Sequence, residues 1–561
     1  MFNLSMFRKA LLPASIAAVG LALAAQAGIS PVSGPHAAPA SPLSPQDAVA
    51  TATPIKHLVV IFGENRSFDH YFGTYPVATN PPGEPAFVAK PLTPAVDGLS
   101  PRLLAHNPNV NDENGVDGIN PFRIDRTQAN TEGQNHSYTP EQQAYDDGNA
   151  DLFPKYTGNN SVGSGGTFGT PGLVMGYFDG NTVTALWNYA QRFAMDDNAY
   201  TDTYGPSTPG AVAVISGTNN GVQVVLGSAA TVPDGQGGLT LIGDTDPAYD
   251  TCSSKSSTML MASKNIGDLL NAGNITWGGF MGGFNLGVVN ANGTTGCARS
   301  TYSSVLAATK TDYVPHHNWF QYYASTSNPT HARPTSLFQI GRTDDKDSGS
   351  TPVHHEYDVR DFFAAVSAGN FPSVSYLKAP AVGDAHPGNS DPLDEQTFIV
   401  KALNFLQRQP DWKNTAVIIT YDDSDGWYDH RYASPNTSSF DATADQLNGP
   451  GTCTSPHAQP GAGVNGGTVN GRCGPGTRVP FLLISPYARS NYVAHQQLTQ
   501  SSVVRFIEDN WLQGERIGQG SNDATAGDIM DMFDFGRPNG VATPRLFLDP
   551  GQGTPIASRT P

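Results

Sequence analysis

Five short runs rich in apolar residues divide this chain, KHLVVIF (56–62) the most continuous of them, then ITWGGF (275–280), PSVSYLKAP (372–380), TAVIITYDD (415–423) and VPFLLISPY (479–487). A run without polar alternation buries both of its faces, which is the mark of a strand inside a parallel sheet. Helix-length segments lie between them: YDVRDFFAAVSAGN (357–370), DPLDEQTFIVKALNFLQRQPDW (391–412) and SSVVRFIEDNWLQ (501–513). Strands alternating with helices predict an α/β fold, with a mostly parallel central sheet and helices on both faces. Asp391 and Asp394 stand where a helix start needs a cap and favours negative charge. ALWNYAQRFAMDDNAY (185–200) begins as a helix, and no internal repeat is present.

Residues 76–170 are polar, rich in Gly, Asn and Pro, and lack periodicity. A stretch of that kind in a compact enzyme forms a site or an inserted loop. With only 14% charged residues, 60 Gly and 44 Pro, the chain favours long ordered loops over charged helical bundles. Its net charge of −18 excludes a phosphate-backbone binder, which needs a basic face.

The N-terminus carries Arg8 and Lys9, then the apolar run ALLPASIAAVGLALAA, then small residues up to Ala27. This is the layout of a signal peptide and predicts export to the periplasm or beyond. The run is too short for a membrane span of about twenty residues, and no later segment is long and apolar enough, so no stable membrane insertion is expected. The expected divisions are a signal peptide at 1–27, a disordered Pro/Ala-rich leader at 28–54, a catalytic domain at 55–535 and an irregular tail at 536–561. Four cysteines in an exported chain suggest two disulfides. The simplest of three connectivities joins Cys252 to Cys297 and Cys453 to Cys473.

The ends of two core runs are chemically odd. VVIFG leads into Glu64-Asn65, and VIITY into Asp422-Asp423, with Asp425 and Asp429 in the same loop. In an open α/β sheet, ligands bind at the carboxyl ends of strands. Adjacent carboxylates repel unless a cation lies between them, and hard oxygen donors suit hard divalent ions. A solvated acidic turn accounts equally well for the aspartates taken alone. Asn65 is a possible ligand or a helix cap, with Phe68, Tyr71 and Phe72 as that helix's core face. Ser207 and Thr208 in TYGPSTPG sit at a Gly-Pro turn opening an apolar helix or strand, as a nucleophile or an N-cap. A serine there without a neighbouring base needs a metal to become nucleophilic. His136, His316, His317, His386 and His430 all lie in polar or turn contexts, where imidazoles could meet an anionic substrate.

Taken in order, HLVVIFGENRSFDHYFGTYP, GPSTPG, HHNWFQYY, DAHPG, IITYDDSDGWYDH, RVPFLLISPYARSNYV and TQSSVVRFIEDNW resemble the motifs of a bacterial phosphoesterase family that includes phospholipases C and acid phosphatases. The resemblance implies an alkaline-phosphatase-like core with long loop insertions. It implies one divalent metal ion, of unspecified identity, held by Glu64, Asn65, Asp422 and Asp423. It makes Ser207 the nucleophile and a further metal contact, with Thr208 as the substitute assignment. His136, His317 and His386 become substrate-binding and acid–base groups, with His316 beside them as a further substrate contact. Two positions depart from the family: Gly210 stands where an Asn commonly follows the nucleophile's Pro, and Ala385 where a Glu often precedes the histidine.

The implied chemistry is attack by Ser207 on phosphorus, a phosphoserine intermediate, and protonation of the leaving group by His386 or His317. The substrate is a phosphate ester or a phospholipid. YDDSDGWYDH looks nearer the acid phosphatase branch than the YDEHGGFYDH style of phospholipases, so a phosphate monoester is expected first and phospholipase C activity second. A calcium-stabilised secreted binding module is a remote alternative, opposed by the alternating helices and strands.

Overall fold

A computed structural model describes residues 46–159, 167–343, 355–536 and 543–556. At its centre β1 (His57–Gly63) is buried at every position, as its unbroken apolar sequence demands. Leu58, Val59, Val60, Ile61 and Phe62 are each at most 2% exposed. Each such burial contributes about 1.5–3 kcal/mol relative to an exposed side chain.

Seven further strands join β1: β2 (Ala194–Asp196), β3 (Trp277–Met281), β4 (Glu356–Asp358), β5 (Val374–Lys378), β6 (Thr415–Tyr421), β7 (Phe481–Ile484) and β8 (Tyr492–Ala494). Their order across the sheet is β4-β3-β5-β1-β6-β7-β2-β8. β7 is antiparallel to both of its neighbours, and every other adjacent pair is parallel. The expected α/β class with a mostly parallel central sheet is therefore present. β6 is also buried throughout, so the middle of the sheet is covered on both faces.

The helices around the sheet are α1 (Phe68–Phe72), α2 (Tyr138–Tyr145), α3 (Thr184–Arg192), α4 (Ser207–Ser216), α5 (Val359–Ser367), α6 (Pro392–Leu406) and α7 (Ser501–Trp511). α4 packs against α7, and α3 against α6. Asp391 caps α6 by accepting from the backbone N–H groups of Leu393 and Asp394, as its sequence position predicts. The element opened by Ser207 is a helix, and it is buried all round because its sequence is apolar all round.

The register of β1 on β6 decides where the site forms. The two strands pair in parallel from His57↔Thr415 to Gly63↔Tyr421 without a shift. The next residues on each, Glu64 and Asp422, therefore leave the sheet side by side.

The long loop region does not form a separate layer. Tyr138, Tyr145 and Phe153 join Val174, Met175, Tyr204 and Tyr428 in a second apolar cluster with Cys453 and Cys473. That cluster seats α2 above the carboxyl end of the sheet. The disulfides are Cys252–Cys297 and Cys453–Cys473, the local pairing expected.

The leader is shorter than its composition suggests. Its first part and the expected signal peptide lie outside the described residues, but 46–54 pack against the domain. Gln46 donates to Asn370 Oδ1 (3.0 Å), and the Thr53 N–H to Asn510 Oδ1 (2.9 Å). Buried polar partners fix a segment that low hydrophobicity alone would leave loose. The described part of the tail has no helix and lies on α6, where Asn404 and Gln407 bond the backbone of Leu548 and Leu546. Among the described residues no helix is long and apolar enough to cross a membrane.

Candidate active site

Four side chains from three elements meet at the carboxyl end of the sheet. Ser207 Oγ, at the first turn of α4, lies 3.1 Å from Asp423 Oδ2, 3.3 Å from Glu64 Oε2 and 3.4 Å from Asn65 Oδ1. All four residues are at most 1% exposed. Asn65 adopts a left-handed backbone (φ 60), which Asn tolerates better than most side chains. Its amide nitrogen donates to Asp425 Oδ1 (3.1 Å), which turns its oxygen toward Ser207. Asn65 belongs to this oxygen cluster and does not cap a helix; Ser67 caps α1, and Phe68, Tyr71 and Phe72 are that helix's core face.

Asp422 stands one step behind this group. Its Oδ1 accepts from the backbone N–H groups of Asn65 (2.9 Å) and Asp423 (2.8 Å), bracing the two acidic turns against each other. Its Oδ2 lies 4.0 Å from the ammonium of Lys378, the last residue of β5. Lys378 also contacts Glu64 Oε1 directly.

α4 reaches the site because Gly210 lets it. A Cβ at this position would lie 2.1 Å from the backbone oxygen of Asp422. The missing Asn is thus a steric requirement of this chain, since no side chain fits there. Gln500, just before α7, holds the same stretch by donating to the backbone oxygens of Tyr421 (3.0 Å) and Asp422 (2.7 Å). Thr208 points away: its hydroxyl and its N–H both donate to Asp244 Oδ1 at 2.9 Å.

The histidines divide into two kinds. His317 Nδ1 lies 2.9 Å from Glu64 Oε1, and its ring stacks near that of His386 with centroids 5.7 Å apart. Burial, His316 and Lys378 push the His317 pKa far below its ordinary value. Burial also lowers His386, with Asp425 opposing. His136 is the reverse case. Burial disfavours its charge, yet Asp423 and Asp425 outweigh that and raise it to about 10. His136 Nδ1 is 3.3 Å from Asp425 Oδ1. His316, 3.5 Å from Asp246 Oδ1, is likewise raised against its burial by Asp246 and Asp244. His430 lies in a separate buried ion network with Asp69, 2.6 Å from its Oδ2, and is not grouped with these residues. Arg478 completes that network through Asp69 and Asp429.

Sequence reasoning missed several members. Lys378 is one, and Asp244, Asp246, Asp384 and Arg66 are others. Arg66 donates to Tyr71 Oη and to the Ala385 backbone oxygen. Asp384 accepts from the His386 N–H at 2.9 Å, so an acidic group remains near this histidine although Ala385 precedes it. Glu141 of α2 is the most connected. It accepts from the Gly205 N–H (2.9 Å), the Ser424 hydroxyl (2.5 Å) and Thr477 Oγ1 (3.4 Å). Burial raises its pKa to about 7. One carboxylate thus ties the Ser207 turn to the Asp422–Asp425 loop. Lys378 carried a signal in the sequence, a lone charge at the end of an apolar strand.

The donors fit a divalent cation. Three oxygens from Glu64, Asn65 and Asp423 converge on the Ser207 hydroxyl, a hard-donor set. Burial and Glu64 raise Asp422 to about 7, and burial and Asp422 lift Asp423 well above the carboxylate range. Buried in this way, the two carboxylates favour their neutral forms unless a positive charge joins them.

A family model described as the phosphoesterase family matches residues 55–512. The chain is 25% identical over 501 residues to a non-hemolytic phospholipase C of Pseudomonas aeruginosa, covering 88% of this chain and 59% of that protein. It is 24% identical over 513 residues to phospholipase C B of Mycobacterium tuberculosis, covering 88% and 80%. A solved structure of an alkaline phosphatase superfamily protein from Vibrio parahaemolyticus aligns at 12% identity and a TM-score of 0.26, covering 74% of this chain and 77% of that one.

Proposed function

The chain belongs to the phosphoesterase family, and from that premise we propose that it is an exported, metal-dependent hydrolase of phosphate monoesters acting through a phosphoserine at Ser207. The observation that carries this reading is the seat of Ser207 Oγ, within 3.4 Å of oxygens from Glu64, Asn65 and Asp423 at the first turn of a helix.

Glu64, Asn65, Asp423 and Ser207, braced by Asp422, are the groups that would hold one divalent ion. Such an ion supplies Lewis-acid polarisation of a phosphoryl oxygen and stabilises an alkoxide at modest pH. The residues do the rest. Ser207 gives up its hydroxyl proton to solvent, its Oγ forms the new bond to phosphorus while the ester bond opposite it breaks, and the leaving oxygen takes a proton from a histidine. His136 and His316, held protonated by Asp425, Asp244 and Asp246, are the better sources of that proton and of hydrogen bonds to phosphoryl oxygens. His386 and His317, the expected acids, are kept neutral by burial and nearby positive charge. Their role in this reading is to bind substrate and to take a proton from the water that releases phosphate.

Asp425 favours a monoester. It stands where the phospholipase-style DEHG has Gly, and it holds both Asn65 and protonated His136. A dianionic phosphate gains more from a fixed cation than a monoanionic diester does. Phospholipase C activity is the second reading, favoured by the names of the two relatives. Hydrolysis of nitrophenyl phosphate and of nitrophenylphosphorylcholine, compared across pH, tests the choice. A higher kcat/KM for the phosphorylcholine ester at every pH would reverse it.

A further inference from the structure

Glu64 uses its two carboxylate oxygens on opposite sides. Oε2 faces Ser207 at 3.3 Å, where the oxygen donors converge. Oε1 faces Lys378, in direct contact, and His317 Nδ1 at 2.9 Å. On that second side, one ligand atom each from Glu64, His317 and His386 lie within 4.8 Å of one another. A carboxylate with two imidazoles is a donor set that suits Zn²⁺ and related ions.

What already stands there is an ammonium. Lys378 is 1% exposed, lies over the Phe62 ring at 5.1 Å and sits 4.0 Å from Asp422 Oδ2. Its backbone is paired with Met281 of β3, and β5 is flanked on the other side by β1, so the side chain starts from a fixed point. An ammonium standing at the place a second ion would take excludes that ion by occupancy and by charge, whereas the first ion has the Glu64 carboxylate between it and Lys378.

We propose that Lys378 sets the cation count of this site at one, its ammonium taking the place beside Glu64 Oε1 where Glu64, His317 and His386 would otherwise hold a second divalent ion. The proposal rests on the reading that Glu64, Asn65 and Asp423 hold the first. With one ion, His317 and His386 stay free of metal and face the substrate, and Glu64 remains fixed between two positive charges.

Metal content tests it. The wild-type protein, Lys378→Met, Lys378→Arg and the double variant Lys378→Met with His386→Ala are stripped with chelator, reloaded with excess Zn²⁺ and desalted. Metal per chain is read by plasma mass spectrometry, and folding by thermal unfolding. Wild type and Lys378→Arg are expected to retain one ion that Asp423→Asn removes. Lys378→Met is expected to retain one more, and the double variant to lose that addition. Lys378→Gln carries the same expectation and replaces the methionine variant if the latter does not fold. Folded Lys378→Met or Lys378→Gln holding no more than wild type overturns the proposal, as does a wild type in which His386→Ala removes a second ion. A wild type whose metal content is indifferent to Asp423→Asn instead overturns the underlying reading of the first site, and this proposal with it.

Discussion

Ser207 Oγ lies 3.1 Å from Asp423 Oδ2, although the two residues are 216 positions apart in the chain. α4 delivers the hydroxyl and β6 delivers the carboxylate. Ser207→Ala is therefore expected to lower turnover by about a thousandfold or more, the scale seen when a nucleophile is removed from a concerted site. The same variant keeps the carboxylates and should still bind metal, which calorimetric titration checks. Near-normal turnover would remove Ser207 from the role.

Gly210→Ala tests the close approach of α4 to β6. The new methyl would sit 2.1 Å from the Asp422 backbone oxygen, so α4 or the acidic loop must move. The expected cost is about 1–3 kcal/mol of stability. A larger proportional loss is expected in kcat, because Ser207 moves with the helix. Unfolding curves and steady-state kinetics on one preparation separate the two.

Glu141 joins the Ser207 turn to the acidic loop, and its two substitutions should differ. Glu141→Ala leaves the Gly205 N–H and the Ser424 hydroxyl without their acceptor, at about 1–3 kcal/mol for each buried group left unpaired. Glu141→Gln keeps an oxygen for Gly205 and is expected to retain most activity. Equal kcat for both variants would show that the connection does not position the site.

Much of this architecture is readable from the sequence, for a physical reason. KHLVVIF, TAVIITY and the other long core strands are buried on both faces, so apolar continuity marks them. β2, β4 and β8 are three residues each, too short to show any periodicity. The strand-end positions of Glu64 and Asp422 follow from the same continuity. Glu141 does not: in sequence it is an acidic residue in the first turn of a helix, where the dipole alone justifies it. Its partners come from residues 205, 424 and 477, and only the tertiary fold brings these together. The packing of residues 46–54 is hidden in the sequence for a related reason. Composition measures how little apolar surface a segment has, while 46–54 are held by hydrogen bonds to Asn370 and Asn510.

Stability should favour acidic pH. Burial raises Glu141 and Glu395 to about 7 and Asp429 to about 6, above their unfolded values. A carboxyl raised in this way stabilises the fold below its unfolded pKa, and the contribution is lost as pH rises through the folded one. His136 and His430, raised to about 10 mainly against burial by neighbouring aspartates, act in the same direction: their contribution is full below the unfolded histidine pKa and is lost as pH rises toward 10. His317 and His386, lowered by burial, act the other way, their contribution being full above the unfolded histidine pKa and lost as pH falls; the raised groups outnumber them, so metal-free protein is expected to melt higher at pH 5 than at pH 8. Added divalent ion should narrow the gap, because Asp422 and Asp423 then gain a partner for their charged forms. A metal-free melting temperature that climbs from pH 5 to pH 8 would contradict this.

Asp425→Asn removes the charge that helps hold His136 protonated. The His136 pKa is expected to fall from about 10 toward its ordinary value. Loss of nitrophenyl phosphate hydrolysis on the alkaline side should then begin at lower pH than in wild type, with a smaller effect on the phosphorylcholine ester. Identical pH profiles for variant and wild type would remove Asp425 from substrate choice.

The most direct measurement is to quench the protein in acid during steady turnover of a phosphate monoester, digest it, and locate phosphate by mass spectrometry. The account predicts phosphate on the peptide containing Ser207, at that hydroxyl, and none in metal-stripped protein. Phosphate on Thr208 or on a histidine during normal turnover would contradict it.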